Sequence, residues 1–148
     1  MNTAVIREYN PGDKSDVIHL MRLNTPRYFS PEEEDGLSRY LDNEIEHYFV
    51  VEYNHKVIGS GGINFDDSST GVISWDIFHP DYQGRGFGSQ LLNFRLNKLK
   101  ELEHIRKIIV RTSQLTHIFY EKQGFKLIET AKDYWAEGLD MYKMEYVK

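Results

Sequence analysis

Three glycines at alternate positions, Gly84, Gly86 and Gly88, stand between a strand-like apolar segment and a long leucine-rich run, and no other stretch restricts the fold as much. Glycine allows backbone conformations and close approaches that a Cβ forbids. A glycine loop that feeds a helix leaves the first N–H groups of that helix unpaired and pointing outward, where the helix dipole adds about half a positive charge. The segment His79-Pro80-Asp81-Tyr82-Gln83-Gly84-Arg85-Gly86-Phe87-Gly88-Ser89 therefore reads as an anion cradle, with Arg85 as a cation suited to phosphate. Two common nucleotide loops do not match it. A Walker loop needs Lys-Ser or Lys-Thr after its last glycine. A dinucleotide fingerprint would place its third glycine at Ser89, and the next strand, Ile108 to Thr112, ends without the ribose-binding acid.

Hydrophobic period orders the rest of the chain. Ala4 to Tyr9 alternates like a strand, and Asp13 to Leu23 sets Val17, Leu20 and Met21 on one helical face behind a cap at Asp13. Ser30, Pro31 and Glu33 form a capping box that predicts a helix to about Glu44, with the acidic run Glu32 to Asp35 in its first turn. His47 to Tyr53 and Lys56 to Phe65 read as strands joined at Asn54-His55, and Val72 to His79 follows the turn Asp66 to Gly71. Beyond the glycines, Leu91, Leu92, Leu96, Leu99 and Leu102 mark an amphipathic helix over 88–103. Lys107 to Arg111 is a strand, Thr116 to Lys122 a short helix stopped by Gly124, and Phe125 to Thr130 and Met141 to Val147 two closing strands. This order implies an α+β (α/β) domain, a mixed sheet with helices on its faces, in which the strand at 107–111 runs parallel to the one ending at His79. A length of 148 residues suits a single domain, 1–148.

Composition removes several functional classes. A net charge of -5 argues against a nucleic-acid footprint and suits a small basic or neutral substrate. With no cysteine there is no disulfide framework, thiolate metal site or thiol nucleophile, and the six histidines show no metal-ligand spacing, so no metal is expected. No apolar run approaches the roughly 18 residues of a membrane span, and Met1 to Tyr9 lacks the basic and apolar regions of a leader. The expectation is a cytoplasmic protein that does not engage a membrane. Asp133 to Gly138, between the last two strands, is too polar and glycine-broken for core. Its Tyr134 and Trp135 suit either a ligand wall or two aromatics folded over the sheet.

Gln83-x-x-Gly86-x-Gly88 after His79-Pro80, followed beyond a strand by Phe119-Tyr120-Glu121-Lys122-Gln123-Gly124-Phe125, resembles the GNAT superfamily of acetyl-CoA-dependent N-acetyltransferases along essentially the whole chain. The resemblance implies a mixed sheet of about six or seven strands flanked by about four helices, and acetyl-CoA as co-substrate. It implies that the pyrophosphate rests on the N–H groups of Gln83, Gly84, Arg85, Gly86, Phe87, Gly88 and Ser89. The pantetheine arm would pair with the backbone of Asp76, Ile77 and Phe78, in a slot where that strand diverges from 107–111. Tyr120 takes the place of the family's tyrosine near the departing sulfur, where a phenol of pKa about 10 matches a thiol of about 8.5.

An attacking amine must first lose a proton, and Asp76 is the acid nearest the expected thioester; His79 should point to the opposite face. By residue type alone, Tyr120 also suits a core position and Asp76 a structural hydrogen bond. Ser113 stands where relatives contact coenzyme A, although the loop that carries Ser113 and Gln114 is one residue shorter here, and His117 reads as a helix-surface histidine. Tyr28, Phe29, Tyr134 and Trp135 are implied as acceptor-pocket residues. The implied activity is direct acetyl transfer to a primary amine, small molecule or peptide, in a ternary complex; a non-catalytic acyl-CoA-binding module is the alternative. A homodimer through the final strand is conceivable on the same reading.

Overall fold

Alternation along the strand His47–Tyr53 divides the molecule into two cores. Tyr48 and Val50 face one side of the sheet, with Val17, Leu20, Met21 and Leu37; Phe49 and Val51 face the other, with Leu91, Leu92, Leu96 and Leu99. The computed structural model describes residues 4–147, so Met1 to Thr3 of the stretch read for a leader lie outside the described residues. In chain order the elements are β1 (Val5–Glu8), α1 (Lys14–Leu23), α2 (Glu33–Arg39), β2 (His47–Tyr53), β3 (Lys56–Asp67), β4 (Thr70–Phe78), α3 (Phe87–Lys100), β5 (Lys107–Thr112), α4 (His117–Lys122), β6 (Phe125–Ala136) and β7 (Leu139–Tyr146). They form a seven-stranded sheet in the order β1-β2-β3-β4-β5-β7-β6, covered by α1 and α2 on one face and α3 on the other. Only β4 and β5 are parallel neighbours, with α3 as their crossover. Among the described residues no helix is long and apolar enough to cross a membrane.

Three local expectations are corrected. The cap before α1 sits one turn earlier than Asp13: Asn10 accepts from the Gly12 N–H at 2.9 Å, and Asp13 accepts in return from the Asn10 N–H. Asp13 itself is bound by Arg7 at 2.9 Å, which holds its carboxyl below the usual carboxylate range. The loop expected over Asp133 to Gly138 is largely strand. β6 runs to Ala136 and turns at Gly138, and this edge strand is exposed along most of its length, so no buried face writes a period into its sequence. The final strand is not an edge either. β7 lies between β5 and β6, its ladder taken on both sides, so a partner copy cannot pair with it.

A bulge in β4 does most to shape the site. Ser74 pairs with Gly62 and Ile77 with Ser60, so Trp75 and Asp76 together oppose Gly61. The extra residue reverses the facing of all that follows. Ile73 and Ile77, four apart, would share a face in a regular strand, yet Ile73 packs with α3 and Ile77 with α1. Trp75, at φ 51°, stays on the α1–α2 side and its carbonyl accepts from the Tyr48 hydroxyl at 2.9 Å. Asp76 is thereby turned toward α3.

Gly61 makes room for that turn: a Cβ there would stand 2.3 Å from Asp76 Oδ1 and 2.8 Å from Arg95 Nη1. Gly61→Ala is expected to cost about 1–3 kcal/mol through overpacking and to lower Tm by several degrees. Gly36→Ala, inside α2 with its nearest neighbour an unstrained 3.8 Å away, should instead gain about 0.5–1 kcal/mol. Calorimetric melting of both variants checks the opposite signs.

Candidate active site

Pairing between β4 and β5 stops at Ile73 and Val110, although β4 continues to Phe78 and β5 to Thr112. From Ser74 onward the β5-facing edge of β4 has no strand against it. The strands part around a cleft of about 570 Å³, lined by Ser74 to Phe78 on one wall and by Val110 to Ser113 on the other. Gly84, Gly88 and Phe119 also line it, as do Tyr28, Phe29, Glu33 and Trp135.

Arg95 is 0% exposed in the middle of α3, between Leu91 and Leu99 of the apolar stripe. A guanidinium taken out of water costs several kcal/mol unless it is paired and hydrogen-bonded. Its Nη1 lies 2.6 Å from Asp76 Oδ1 and donates to the Gly62 carbonyl at 3.0 Å, and its Nε donates to the Leu91 carbonyl at 3.3 Å. Among the described residues Nη2 has no acceptor, and Asp76 Oδ1 receives the Arg95 charge without a well-directed hydrogen bond. Asp76 Oδ2 accepts from the Tyr120 hydroxyl at 2.5 Å. Both oxygens of the carboxylate read above as a base are thus engaged. Tyr120, 5% exposed, touches the cleft from α4. Burial, and then the Asp76 charge and hydrogen bond, push its phenol well above its ordinary value of 10, so it keeps its proton at every ordinary working pH.

The cradle forms at the amino end of α3. Gly86 caps the helix at φ 89°, a left-handed conformation that other residues adopt at a cost, and no side chain among the described residues bonds to the free amides. The Gln90 N–H is bonded to the Gly86 carbonyl at 3.1 Å, so the amides of Phe87, Gly88 and Ser89 precede that first helical bond. A Cβ at Gly84 or Gly86 would meet nothing within 4 Å. The loop is therefore open on its outer side, as an anion site requires.

Most of the residues named from sequence line the cleft. Asp76, Ile77, Phe78, Gln83, Gly84, Gly88, Ser113, Tyr120, Tyr28, Phe29 and Trp135 do so. Gln83 also donates to the Phe78 carbonyl, shared with Asn24, so that this carbonyl is taken from within. The Arg85 guanidinium lies over the rings of Tyr53, Tyr82 and Phe87, away from the cleft, and Phe87 is core. Ser89 accepts from Gln123. Tyr134 is 55% exposed on the outside of its strand, edge-on to Trp135, whose indole N–H donates to the Thr112 carbonyl. Gln114 is spent tying the β6–β7 hairpin through Gly138 and Asp140. His117 stacks on Tyr142, and His79 lies across the sheet beside His19. Arg95 was missed, although an arginine four residues from Leu91 and from Leu99 in an apolar stripe is a legible signal. Among the described residues no set of His, Asp and Glu side chains gathers to hold a metal.

A family model described as Acetyltransferase (GNAT) family matches residues 17–125. An uncharacterized ycf52-like N-acetyltransferase of Prochlorococcus marinus is 28% identical over 116 residues, 76% of this chain and 63% of that protein. An amino-acid acetyltransferase of Yersinia pseudotuberculosis is 25% identical over 126 residues, 81% of this chain and 26% of that protein. The chain thus spans less than two thirds of the length of either relative. A solved GNAT family acetyltransferase of Elizabethkingia anophelis with acetyl-CoA bound has the same fold, with a TM-score of 0.74 over 97% of both chains at 20% identity.

The Arg95–Asp76 pair sets a stability test. Asp76→Asn leaves the Arg95 charge buried and unopposed, with an expected loss of about 3–5 kcal/mol, whereas the double variant Asp76→Asn with Arg95→Met should recover most of it. Denaturant midpoints of the singles and the double give the coupling. Additive losses would mean that the two charges do not depend on each other.

Proposed function

The chain belongs to the GNAT acetyltransferase family, and from that premise we propose that its β4–β5 cleft takes acetyl-CoA and passes the acetyl group directly to a primary amine in a ternary complex. The observation that carries the reading is the parted strand pair, with the glycine-capped amino end of a 14-residue helix beside it and a protonated tyrosine inside. The residues present suit the co-substrate. The amides from Gln83 to Ser89, supported by the helix dipole, would hold the pyrophosphate, and the open space outside Gly84 and Gly86 leaves them reachable. The free edge of β4 at Asp76 and Ile77 offers backbone groups to the amides of the pantetheine arm, with Ser113 on the opposite wall. Acetyl-CoA supplies an electrophilic thioester carbonyl and a thiolate leaving group of pKa about 8.5.

As the neutral amine bonds to the thioester carbon and the C–S bond breaks, Tyr120 gives its hydroxyl proton to the departing sulfur, the hydrogen turning from Asp76 Oδ2; the amine's surplus proton leaves to solvent, from which the phenol is reprotonated. Asp76 acts on this group as a positioning residue: it orients the hydroxyl, and its charge keeps the phenol protonated. With both its oxygens engaged, Asp76 leaves the amine to enter in its neutral form. The chain carries no cysteine, so no thiol relay competes with direct transfer. We propose that the protein works in the cytoplasm, with acetyl-CoA drawn from the same compartment.

Tyr120→Phe keeps the ring and removes the proton, so kcat should fall about 10²–10⁴-fold while acetyl-CoA affinity changes little. Coupled release of the free thiol and calorimetric titration measure the two. In the wild type, kcat/KM should rise with pH toward the amine's own pKa near 10, with no falling limb from Tyr120, whose phenol ionises higher still. Gly86→Val forces a branched side chain into a left-handed cap and should abolish acetyl-CoA binding. Tight acetyl-CoA binding without thiol release across a broad amine panel would overturn transfer and leave a binding module.

A further inference from the structure

Charge is unevenly settled along the cleft. Of its charged lining residues, Asp76 is paired with Arg95, and Arg111 is paired with Asp66 at 3.1 Å. Glu33 has no cation partner among the described residues, since the neighbouring arginine, Arg22, is taken by Glu34 at 2.8 Å. Glu33 Oε2 accepts from the Ser30 N–H at 2.8 Å and so serves the capping box read from the sequence, while Oε1 has no partner among the described residues. The same cleft is lined by aromatic side chains: Tyr28 and Phe29 from the α1–α2 connection, Trp75 from the bulge and Trp135 from β6. Burial raises the Glu33 carboxyl above its ordinary value, the consequence of a charge withdrawn from water without a counter-ion.

We propose that the acceptor end of the cleft selects an amine that carries a second positive charge and no carboxylate, an aliphatic diamine being the simplest case, and that Glu33 reads that second charge. This rests on the acetyl transfer proposed above. An ammonium beside Glu33 supplies the missing counter-ion and meets aromatic faces that attract cations. An amino acid fits poorly, because its carboxylate would confront Glu33 and find only Arg111, already held by Asp66. A neutral monoamine fills the aromatic wall and leaves Glu33 unpaired. The capping role explains why a glutamate can stand at the start of α2. It does not require that the carboxylate also face the cleft among aromatic rings.

Glu33→Gln separates the two roles, because a glutamine oxygen still accepts from the Ser30 N–H while the charge is lost. Linear diaminopentane, pentylamine and lysine are compared as acceptors for wild type and Glu33→Gln by thiol release. The wild type should favour the diamine over both others by about tenfold or more, and Glu33→Gln should lower kcat/KM for the diamine by about 10–100-fold, as expected for one lost charge-assisted contact. Pentylamine should lose at least about fivefold less in kcat/KM than the diamine, because it brings no second charge for Glu33 to meet. A preference for lysine, or an equal loss for diamine and monoamine, overturns the proposal. Calorimetric titration of diaminopentane into the protein saturated with coenzyme A needs no turnover. Binding that Glu33→Gln weakens, with no amine acetylated, would overturn the transfer reading alone, whereas no diamine binding would overturn this inference.

Discussion

A single buried guanidinium organises this molecule. Arg95 sits on the apolar stripe of α3 with no exposed surface, where an uncompensated charge would cost several kcal/mol. Its counter-charge comes from the sheet, from Asp76, which faces α3 only because β4 bulges there. The same bulge sends Trp75 to the α1–α2 face, reverses the facing of Ile77 and coincides with the point where β4 leaves β5. The cleft, the carboxylate and the ion pair thus share one irregularity. Gly61 is its necessary complement, since any side chain there would occupy the space of the pair.

The two ends of the cleft rest on different physics. At the α3 end, binding power comes from backbone: free amides and a dipole, which depend on Gly86 holding a left-handed cap. In the middle, chemistry depends on electrostatics in a dry setting. Tyr120 is kept neutral by burial and by Asp76, which is itself paired with Arg95. A fault in the first would be read as lost affinity and a fault in the second as lost turnover.

Much of this was legible in local sequence. The strand alternation at Tyr48 to Val51 and the leucine period of α3 are short-range signals, and the glycine loop and the Tyr120 segment are contiguous motifs that the structure brings to one cleft. What escaped is what depends on distant partners. The pairing of Arg95 with Asp76 exists only once α3 lies on the sheet, and nothing around Trp75 announces a bulge. The polar run of β6 lacks a period because neither of its faces is deeply buried, and the placing of β7 between β5 and β6 is decided by the hairpin closing back on the sheet. Arg85 looked like a phosphate ligand by type and position, yet three aromatic rings offer its guanidinium a nearer surface. Glu33 was read correctly as a capping residue, but its exposure to the cleft follows from where the α1–α2 connection folds.

The central claim is that the parted strands present one continuous path from the α3 amides to Tyr120. A crystal structure of the protein with coenzyme A tests it most directly. The account predicts the pyrophosphate within hydrogen-bond distance of the amides between Gln83 and Ser89, and the sulfur within reach of the Tyr120 hydroxyl, about 3–4 Å. Coenzyme A bound elsewhere, or seated in the cleft with its sulfur remote from Tyr120, would contradict it.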